Sequence, residues 1–240
     1  MFGKGGPSFF ELMKQALSST EEGYDLLAPK FDKTPFRTPD ELVEKAVEHI
    51  DPKVDAALDL CCGTGVGLVK LRPRVASRLV GVDFSKGMLD EARHELQLDG
   101  LVTNADPRVE LVESDVFHLR YDGEFDVVTC FGAFGHILEA DEVRFLEIVR
   151  RALRPGGEFV FVTAPKPPFY APKAVVAHAF NAAMRVRNAV IKPPFIMYYL
   201  TFLLPEIERR LRWSGFSVAT KPAELPSPFH HAVVVRAKRV

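Results

Sequence analysis

The fold is decided by residues 57–67, which read Ala-Leu-Asp-Leu-Cys-Cys-Gly-Thr-Gly-Val-Gly. An apolar run of strand length passes into a glycine-rich turn, and the turn opens a helix-like segment. Glycines in such a turn let the backbone adopt left-handed conformations and let a ligand approach the main chain closely. In an open parallel sheet, ligands bind at the carboxyl ends of the strands. The stretch therefore predicts a strand, a turn and a helix with a ligand at the turn.

Around this stretch, short apolar runs alternate with longer helical segments. Helices are predicted at Lys86–Leu98 and Asp141–Leu153, the second ending at Arg154-Pro155-Gly156-Gly157, a strong turn signal. Five strands are predicted in this region: Ala56–Leu60, Arg78–Val82, Val109–Val112, Phe125–Phe131 and Glu158–Thr163. Strands that are apolar throughout are typical of a sheet covered on both faces. We therefore predict an α/β fold with a doubly wound, mostly parallel sheet.

Helical segments flank the predicted sheet. Residues 1–50 are predicted to form an N-terminal helical cap, with one helix from Ser8 to Leu17, a turn-rich connector over Tyr24–Asp32 and a helix opened by Pro39. Residues 51–240 form the main domain, which contains an insert, residues 164–204, after the fifth strand. The chain then continues with a helix at Glu206–Trp213 and two strands, Phe216–Thr220 and Ala232–Lys238.

The insert has an unusual composition, because residues 164–204 contain no Asp or Glu but several Lys and Arg residues. A helix over Pro172–Lys192 would place on one face His178, Asn181, Arg185, Asn188 and Lys192, and roughly opposite them Val176, Phe180, Ala183, Met184 and Ile191. One interpretation is a lid that packs its apolar side on the core. The other is a peripheral membrane contact through residues 172–204, with Phe195–Leu204 inserted. Both favour an apolar or lipid-like substrate.

The overall composition excludes two classes of function. The chain has 31 Lys and Arg against 32 Asp and Glu residues and a net charge of −1, which argues against a globally basic nucleic-acid clamp and an acidic tail. The three cysteines, Cys61, Cys62 and Cys130, form neither a disulfide framework nor a zinc spacing. We find no secretory signal and no apolar run of the ~20 residues that span a bilayer. We expect a cytoplasmic protein without a metal, and the alternative for the insert adds a peripheral contact with a membrane.

Three acidic residues follow successive predicted strands. Asp59 precedes the glycine turn, where a carboxylate repels a pyrophosphate but suits an ammonium group. Asp83, about 20 residues later, is placed to accept both hydroxyls of a ribose. Asp115 stands beside apolar residues and suits the amino group of an adenine. Each acid alone is equally well explained as a helix N-cap, but three in register favour a binding site. The glycine spacing and Asp59 disfavour a nicotinamide dinucleotide, and the P-loop signature is missing.

These motifs together resemble the class I S-adenosylmethionine-dependent methyltransferases. The segment 59–65 resembles their first motif, 82–89 the second, 114–116 the adenine motif, 125–131 the fourth strand and 153–157 the turn before the fifth. The ordered set covers roughly residues 54–163. One departure is Cys61, where the family usually has Gly. Cysteine is tolerable there if the backbone φ angle is not positive.

The resemblance implies a Rossmann-like methyltransferase fold with a seven-stranded sheet, and S-adenosyl-L-methionine as cofactor with S-adenosyl-L-homocysteine as product. It assigns the methionine part to the glycine turn, the ribose to Asp83, the adenine to Asp115 and its neighbours, and the floor beneath the sulfonium to Cys130 and Phe131. The implied cofactor-binding residues are Asp59, Cys62, Gly63, Gly65, Asp83, Phe84, Met88, Asp115, Val116, Cys130 and Phe131. Tyr24 and Phe31 are candidates to close over the cofactor and Arg37 to reach its carboxylate, although packing within the connector explains all three better.

His136 follows the fourth strand, where the methyl group would emerge. It is the candidate general base or acceptor anchor, and a histidine bonded to loop backbone is the equal alternative. The sequence lacks the Asn-Pro-Pro-Tyr motif of adenine-directed enzymes and the Pro-Cys nucleophile of cytosine enzymes, so we expect no nucleic-acid partner. The predicted function is methyl transfer to a small, apolar or lipid-like acceptor. The alternative is a sensor that binds the cofactor without turnover.

Overall fold

The structure, a computed structural model, describes residues 5–98 and 108–240. The first four residues of the predicted cap therefore lie outside the described ranges. Seven strands are formed: β1 (Val54–Leu60), β2 (Val75–Asp83), β3 (Val109–Glu113), β4 (Phe125–Cys130), β5 (Leu153–Thr163), β6 (Phe216–Pro222) and β7 (Val233–Arg239). They form one sheet in the order β3-β2-β1-β4-β5-β7-β6. Neighbours from β3 to β5 are parallel, whereas β7 is antiparallel to both β5 and β6. The predicted doubly wound, mostly parallel seven-stranded sheet is confirmed.

Helices cover both faces of the sheet. They are α1 (Phe9–Leu17), α2 (Thr20–Leu27), α3 (Asp40–Glu48), α4 (Val66–Leu71), α5 (Lys86–Leu98), α6 (Glu142–Ala152), α7 (Pro172–Val190) and α8 (Glu206–Trp213). Side chains of α6 and α8 pack with Leu58 and Val128 on one face, and those of α3, α4 and α5 pack with Ala57 and Val127 on the other. Because both faces are covered, the central strands are buried along almost their whole length.

The boundaries differ from the predicted ones in two places. Tyr24–Leu27 is not connector but the second half of α2, and only Ala28–Lys33 forms a 3₁₀ turn. The signal for α2 was present in the sequence, since Ser19 and Glu22 form a capping box at its start. The second difference is that β5 already begins at Leu153, which pairs with Phe125. The Pro-Gly-Gly turn signal therefore becomes an irregular first stretch of a strand, with Gly156 at φ +79°.

The glycine turn between β1 and α4 is shaped by different constraints at each position. Gly65 has φ +93° and forms the N-cap of α4. A Cβ on Gly67 would lie 2.2 Å from a carboxylate oxygen of Asp59, so this position has room only for hydrogen. Cys61 has φ +53°, so the condition under which cysteine was acceptable there is not met. A left-handed non-glycine residue costs about 1–2 kcal/mol, which the rest of the turn must offset.

The insert helix α7 faces the opposite way from the prediction. Asn181 and Asn188 of the predicted polar row are buried, whereas Val176 is 69% exposed and Met184 is the only buried member of the predicted apolar set. The reason is hydrogen bonding to the chain that follows the helix. The Asn188 amide donates to the Phe195 carbonyl (3.0 Å) and accepts from the Phe195 N–H (2.9 Å). A buried segment without regular structure needs such partners for its backbone.

Asn181 repeats this pattern at the next turn of the returning chain. Its side chain donates to the Tyr199 carbonyl (2.9 Å) and accepts from the Tyr199 N–H (2.8 Å). Phe195 and Phe202 are each only 3% exposed. These two phenylalanines pack inward and are not available for the predicted insertion of Phe195–Leu204 into a membrane, whereas Tyr199 is 42% exposed. Across the described ranges, the structure contains no helix whose length and apolar character would let it cross a membrane.

We expect Gly67→Ala to lower the free energy of unfolding by about 2 kcal/mol, because the added methyl group meets the buried carboxylate of Asp59. The matched control is Gly123→Ala, where φ is +61° but no atom lies within 4 Å of the added Cβ. That substitution should cost about 1 kcal/mol from backbone strain alone. Urea unfolding of both variants measures the difference, and equal losses would contradict the packing of Asp59 under the turn.

Candidate functional site

Three cavities meet at the carboxyl ends of the parallel strands, and His136 lines all of them. The central cavity is lined by the glycine turn and by Asp83, Phe84 and Met88. The Asp115 cavity, of about 340 Å³, is lined by residues 114–117 and shares Cys61, Phe84 and Ala133 with the central one. The insert cavity, of about 360 Å³, lies between residues 35–39 and 197–201. The shared residues make the three cavities neighbours at one edge of the sheet.

Asp83 ends β2 and joins the central cavity to the glycine turn. Its two carboxylate oxygens accept the N–H of Gly63 and the N–H of Ser85, each at 2.9 Å. Burial raises the pKa of Asp83 to about 6, although these backbone hydrogen bonds act in the other direction. The Phe84 N–H adds a third backbone hydrogen bond, so of the about four lone-pair sites of a carboxylate at least one remains for a ligand. Asp83 is therefore both a support of the turn and a free acceptor toward the cavity.

Asp59 lies beneath the glycine turn rather than in a cavity. It is 1% exposed, accepts the Thr129 hydroxyl at 2.7 Å and lines none of the three cavities. Burial raises its pKa to about 7, the hydrogen bond from Thr129 opposing the shift. An action of Asp59 on a ligand ammonium, in part through the backbone or a water, therefore stays a prediction. The contact of Asp59 with Gly67 makes it a support of the turn.

Asp115 caps a short turn and also lines a cavity. Its carboxylate accepts the Phe117 N–H at 2.8 Å and caps the short 3₁₀ turn of residues 116–118. It also lines the Asp115 cavity together with Val116 and Phe84. The second carboxylate oxygen and the apolar neighbours suit a flat ring that carries an amino group.

His136 is held by segments from two distant parts of the chain. Its Nδ1 lies 2.5 Å from the Ile196 carbonyl, which only accepts hydrogen bonds, so Nδ1 carries the proton. Nε2 is therefore the acceptor, and the Tyr24 hydroxyl donates to it at 2.7 Å. Burial lowers the pKa of His136 and raises that of Tyr24. At neutral pH the site thus contains a neutral imidazole with a basic nitrogen and a protonated phenol.

Most of the predicted site residues come together here. The ones that line a cavity are Cys62, Gly63, Asp83, Phe84, Met88, Asp115, Val116, Phe131 and His136, whereas Asp59, Gly65 and Cys130 line none of the three. Cys130 is fully buried in the core between the sheet and α6. Tyr24, Phe31 and Arg37, for which connector packing was the preferred explanation, line the central cavity.

Sequence reasoning missed the walls of the insert cavity. Phe36, Thr38 and residues 197–201 carry no motif, and they reach the site only through tertiary packing. Thr38, for example, lies so close to Gly132 that a Cβ on this glycine would be 2.2 Å from the Thr38 hydroxyl oxygen. The sequence shows that Gly132 follows β4, but it does not show that Gly132 lies against Thr38.

The residues present fit a cofactor with a ribose, an adenine and an amino-acid end. Asp83 and Asp115 offer unused acceptor positions toward two connected cavities. A Cβ on Gly63 would meet nothing within 4 Å, so the turn leaves open space where a ligand approaches the backbone. Arg37 is ion-paired with Asp32 at 3.0 Å and brings a cation to the same cavity, where it suits a carboxylate.

Comparison with known proteins agrees with this geometry. A family model described as a methyltransferase domain matches residues 57–157. The demethylmenaquinone methyltransferase of Thermus thermophilus is 34% identical in an alignment covering 76% of this chain and 80% of that protein. The 2-phytyl-1,4-naphtoquinone methyltransferase of Nostoc punctiforme is 29% identical over 69% of this chain and 74% of that protein. The match to the demethylmenaquinone methyltransferase of Lactobacillus johnsonii, also 34% identical, covers 47% of this chain but only 45% of that relative.

Solved structures share the fold. The magnesium protoporphyrin IX methyltransferase of Synechocystis, with bound S-adenosylhomocysteine, superposes with a TM-score of 0.58 at 19% identity, covering 84% of this chain and 83% of that one. The fold, the motifs in their order and the relative aligned over four fifths of its length lead to one conclusion. The chain belongs to the class I S-adenosylmethionine-dependent methyltransferases of the small-molecule type, whose cofactor is S-adenosyl-L-methionine.

Proposed function

We propose that this protein transfers a methyl group to an apolar, ring-containing acceptor of the quinone or quinol class, held in the insert cavity. The observation that carries the proposal is that this cavity lies next to the central one, with Tyr24, Phe131 and His136 lining both. The walls are rich in apolar and aromatic groups, among them Phe36, Phe134, Met197, Tyr198 and Tyr199. The names of relatives from Thermus and Nostoc, which refer to naphthoquinone-type substrates, support the same class.

The chain itself supplies alignment and a dry environment. S-adenosylmethionine, when bound, supplies an electrophilic methyl carbon, and transfer by in-line displacement depends on the angle and distance of the acceptor atom. The returning chain after α7 forms one wall of the insert cavity, and Asn181 and Asn188 hold it in place. The N–H and C=O groups of Phe195 and Tyr199 are all hydrogen-bonded to these asparagines. A wall held in this way excludes water and orients a flat ring.

His136 is proposed to take a proton from a hydroxyl on the acceptor. The Ile196 carbonyl fixes the ring so that the basic Nε2 is directed toward Tyr24, at the junction of the cavities. The acceptor hydroxyl would displace the Tyr24 hydroxyl from Nε2 and give its proton to this nitrogen. The raised pKa of Tyr24 keeps the phenol protonated, so Tyr24 is not the base.

The proposal is tested by incubating the protein with S-adenosylmethionine and a panel of reduced and oxidised demethylated naphthoquinones, with methylated product followed by mass spectrometry. Methylation of the reduced ring is the expected result. Tight binding of S-adenosylhomocysteine without turnover on any acceptor would favour the sensor over the enzyme.

We expect Asp83→Ala to weaken the binding of S-adenosylhomocysteine by about 2–3 kcal/mol, because a buried charged acceptor for ligand hydroxyls is lost. Isothermal titration calorimetry measures the affinity, and circular dichroism checks that the variant is folded. Asp90→Ala on the exposed face of α5 is the matched control and should bind like the parent protein. If Asp83→Ala also kept its affinity, the assignment of the ribose end would be wrong.

The same affinity should decrease as the pH falls through about 6. Asp83 has a folded-state pKa of about 6, above the value near 3.9 of an unfolded chain, so its carboxylate becomes protonated in this range. The neutral acid has lost the charge that strengthens hydrogen bonds from ligand hydroxyls. Titrations at pH 5 and pH 7 measure the effect. Asp83→Asn should remove most of this pH dependence. If the affinity of Asp83→Asn changed with pH as much as that of the parent protein, the titrating group would not be Asp83.

Replacement of the proposed base should affect turnover more than cofactor binding. His136→Ala is expected to lower kcat by about 100-fold or more on a hydroxylated acceptor, the contribution typical of a general base. His94→Ala, an exposed histidine on α5, is the control and should leave kcat unchanged. A kcat in His136→Ala close to that of the parent protein would leave His136 only the role of a structural link between Tyr24 and Ile196.

A further inference from the structure

Helix α1 presents its apolar side to solvent. Phe9 is 61% exposed, Phe10 74%, Met13 43% and Leu17 51%. Gln15 is the one buried residue of this helix, so a polar side chain faces the protein, while Glu11 and Lys14 are exposed. The helix is well defined at its start, where Ser8 and Glu11 form a capping box. An amphipathic helix in this orientation lacks an apolar partner among the described residues.

The outer side of α7 has the same character. Because Asn181 and Asn188 are used to hold the returning chain, the valines are turned outward. Exposed apolar groups run along the whole helix and its preceding turn: Phe169 (79%), Tyr170 (71%), Val175 (53%), Val176 (69%), Val186 (67%) and Val190 (78%). Single exposed valines are ordinary, whereas a continuous series on a helix marks an interaction surface.

Arg187 joins the two helices. Its guanidinium donates to the carbonyls of Ala16 (2.9 Å) and Ser18 (2.8 Å) at the end of α1, and also to the carbonyl of Pro193 (2.8 Å). The end of α1 therefore lies against the part of α7 that carries Val186 and Val190. We call the exposed residues of α1, of α7 and of the preceding turn at Phe169–Tyr170 the outer apolar surface.

The charges around this surface have one predominant sign. Lys14, Lys173, Arg185 and Lys192 are exposed on α1, α7 and the residues that follow, and none forms an ion pair within the described part of the chain. Residues 164–204 contain no acid at all. The acid of α1, Glu11, is paired with Lys30 at 2.6 Å, and this hydrogen bond lowers its pKa to about 2. The unpaired cations beside the apolar groups match a surface that carries negative charge.

We propose that the outer apolar surface docks on a lipid bilayer containing anionic lipids. When a helix lies flat on a membrane, its aromatic and aliphatic side chains enter the boundary between lipid headgroups and acyl chains. Lys and Arg at the edge of such a surface bind lipid phosphates. Charge complementarity favours a bilayer over a second copy of the chain, because two such surfaces would bring like charges together. The outer apolar surface lies partly on α1, which precedes Tyr24 in the chain, and partly on α7, whose asparagines hold residues 195–199. A docked protein therefore keeps its insert cavity close to the lipid.

The proposal does not depend on the identity of the acceptor. It is tested by flotation of the full chain, without cofactor or acceptor, with vesicles of phosphatidylcholine alone and with vesicles containing 30% phosphatidylglycerol. We expect binding to the anionic vesicles at least tenfold stronger than to the neutral ones, and weaker at high salt because the headgroup attraction is screened.

Two double variants test the surface itself. Phe10→Ser with Met13→Ser on α1, and Val186→Ser with Val190→Ser on α7, should each reduce vesicle binding at least tenfold, while thermal unfolding stays unchanged because these side chains are exposed. Trp213→Ser is the matched control, an equally exposed aromatic residue on α8 (77%), and should bind vesicles like the parent.

Three results would overturn the proposal. The first is a folded protein that does not float with anionic vesicles, and the second is equal binding to neutral ones. The third is a concentration-dependent dimer in sedimentation velocity that both double variants abolish without any effect on vesicle binding. Methylation activity is measured separately, so its loss and the loss of vesicle binding remain distinguishable.

Discussion

The site depends on the carboxylate of Asp83, which holds the glycine turn of β1 against the end of β2. By accepting the N–H of Gly63 and the N–H of Ser85, it fixes the backbone at the edge where the ligand binds. The carboxylate is nearly buried, and its raised pKa shows that desolvation outweighs the two hydrogen bonds. The same group therefore shapes the turn and lines the central cavity. A turn that holds Cys61 in a left-handed conformation needs such support from its neighbours.

The second organising element is His136, which connects three segments that are distant in sequence. Tyr24 lies 112 residues before it and Ile196 lies 60 residues after it, and both bond to its ring. The cap, the turn after β4 and the insert thus meet at one imidazole. This explains why the central cavity and the insert cavity share a wall, and why the basic nitrogen of His136 lies at their junction.

The orientation of α7 follows from the need to satisfy backbone hydrogen bonds. Residues 195–199 form neither strand nor helix, so their backbone groups need side-chain partners. The amide of Asn188 bonds to the start of this segment at Phe195, and the amide of Asn181 bonds to its end at Tyr199. Burying two asparagines with four hydrogen bonds turns the valines of the same helix outward. The exposed apolar side of α7 is thus a consequence of how the wall of the insert cavity is held in place. The same helix therefore supports this wall and forms part of the outer apolar surface.

The sequence by itself determined the order of the strands and helices, the glycine turn and the acids at the strand ends. Strands and helices follow from local periodicity, and the turn follows from the backbone freedom of glycine. Both signals lie within short stretches of neighbouring residues, so the sequence alone shows them. Only the tertiary structure decided that Asp59 supports the turn from below, that Tyr24 and Ile196 orient His136, and which face of α7 turns inward. The hydrogen bonds of His136 join segments 60 or more residues apart and leave no periodic signal. At α7, the bonds of Asn181 and Asn188 to the chain that returns after the helix outweighed the amphipathic pattern.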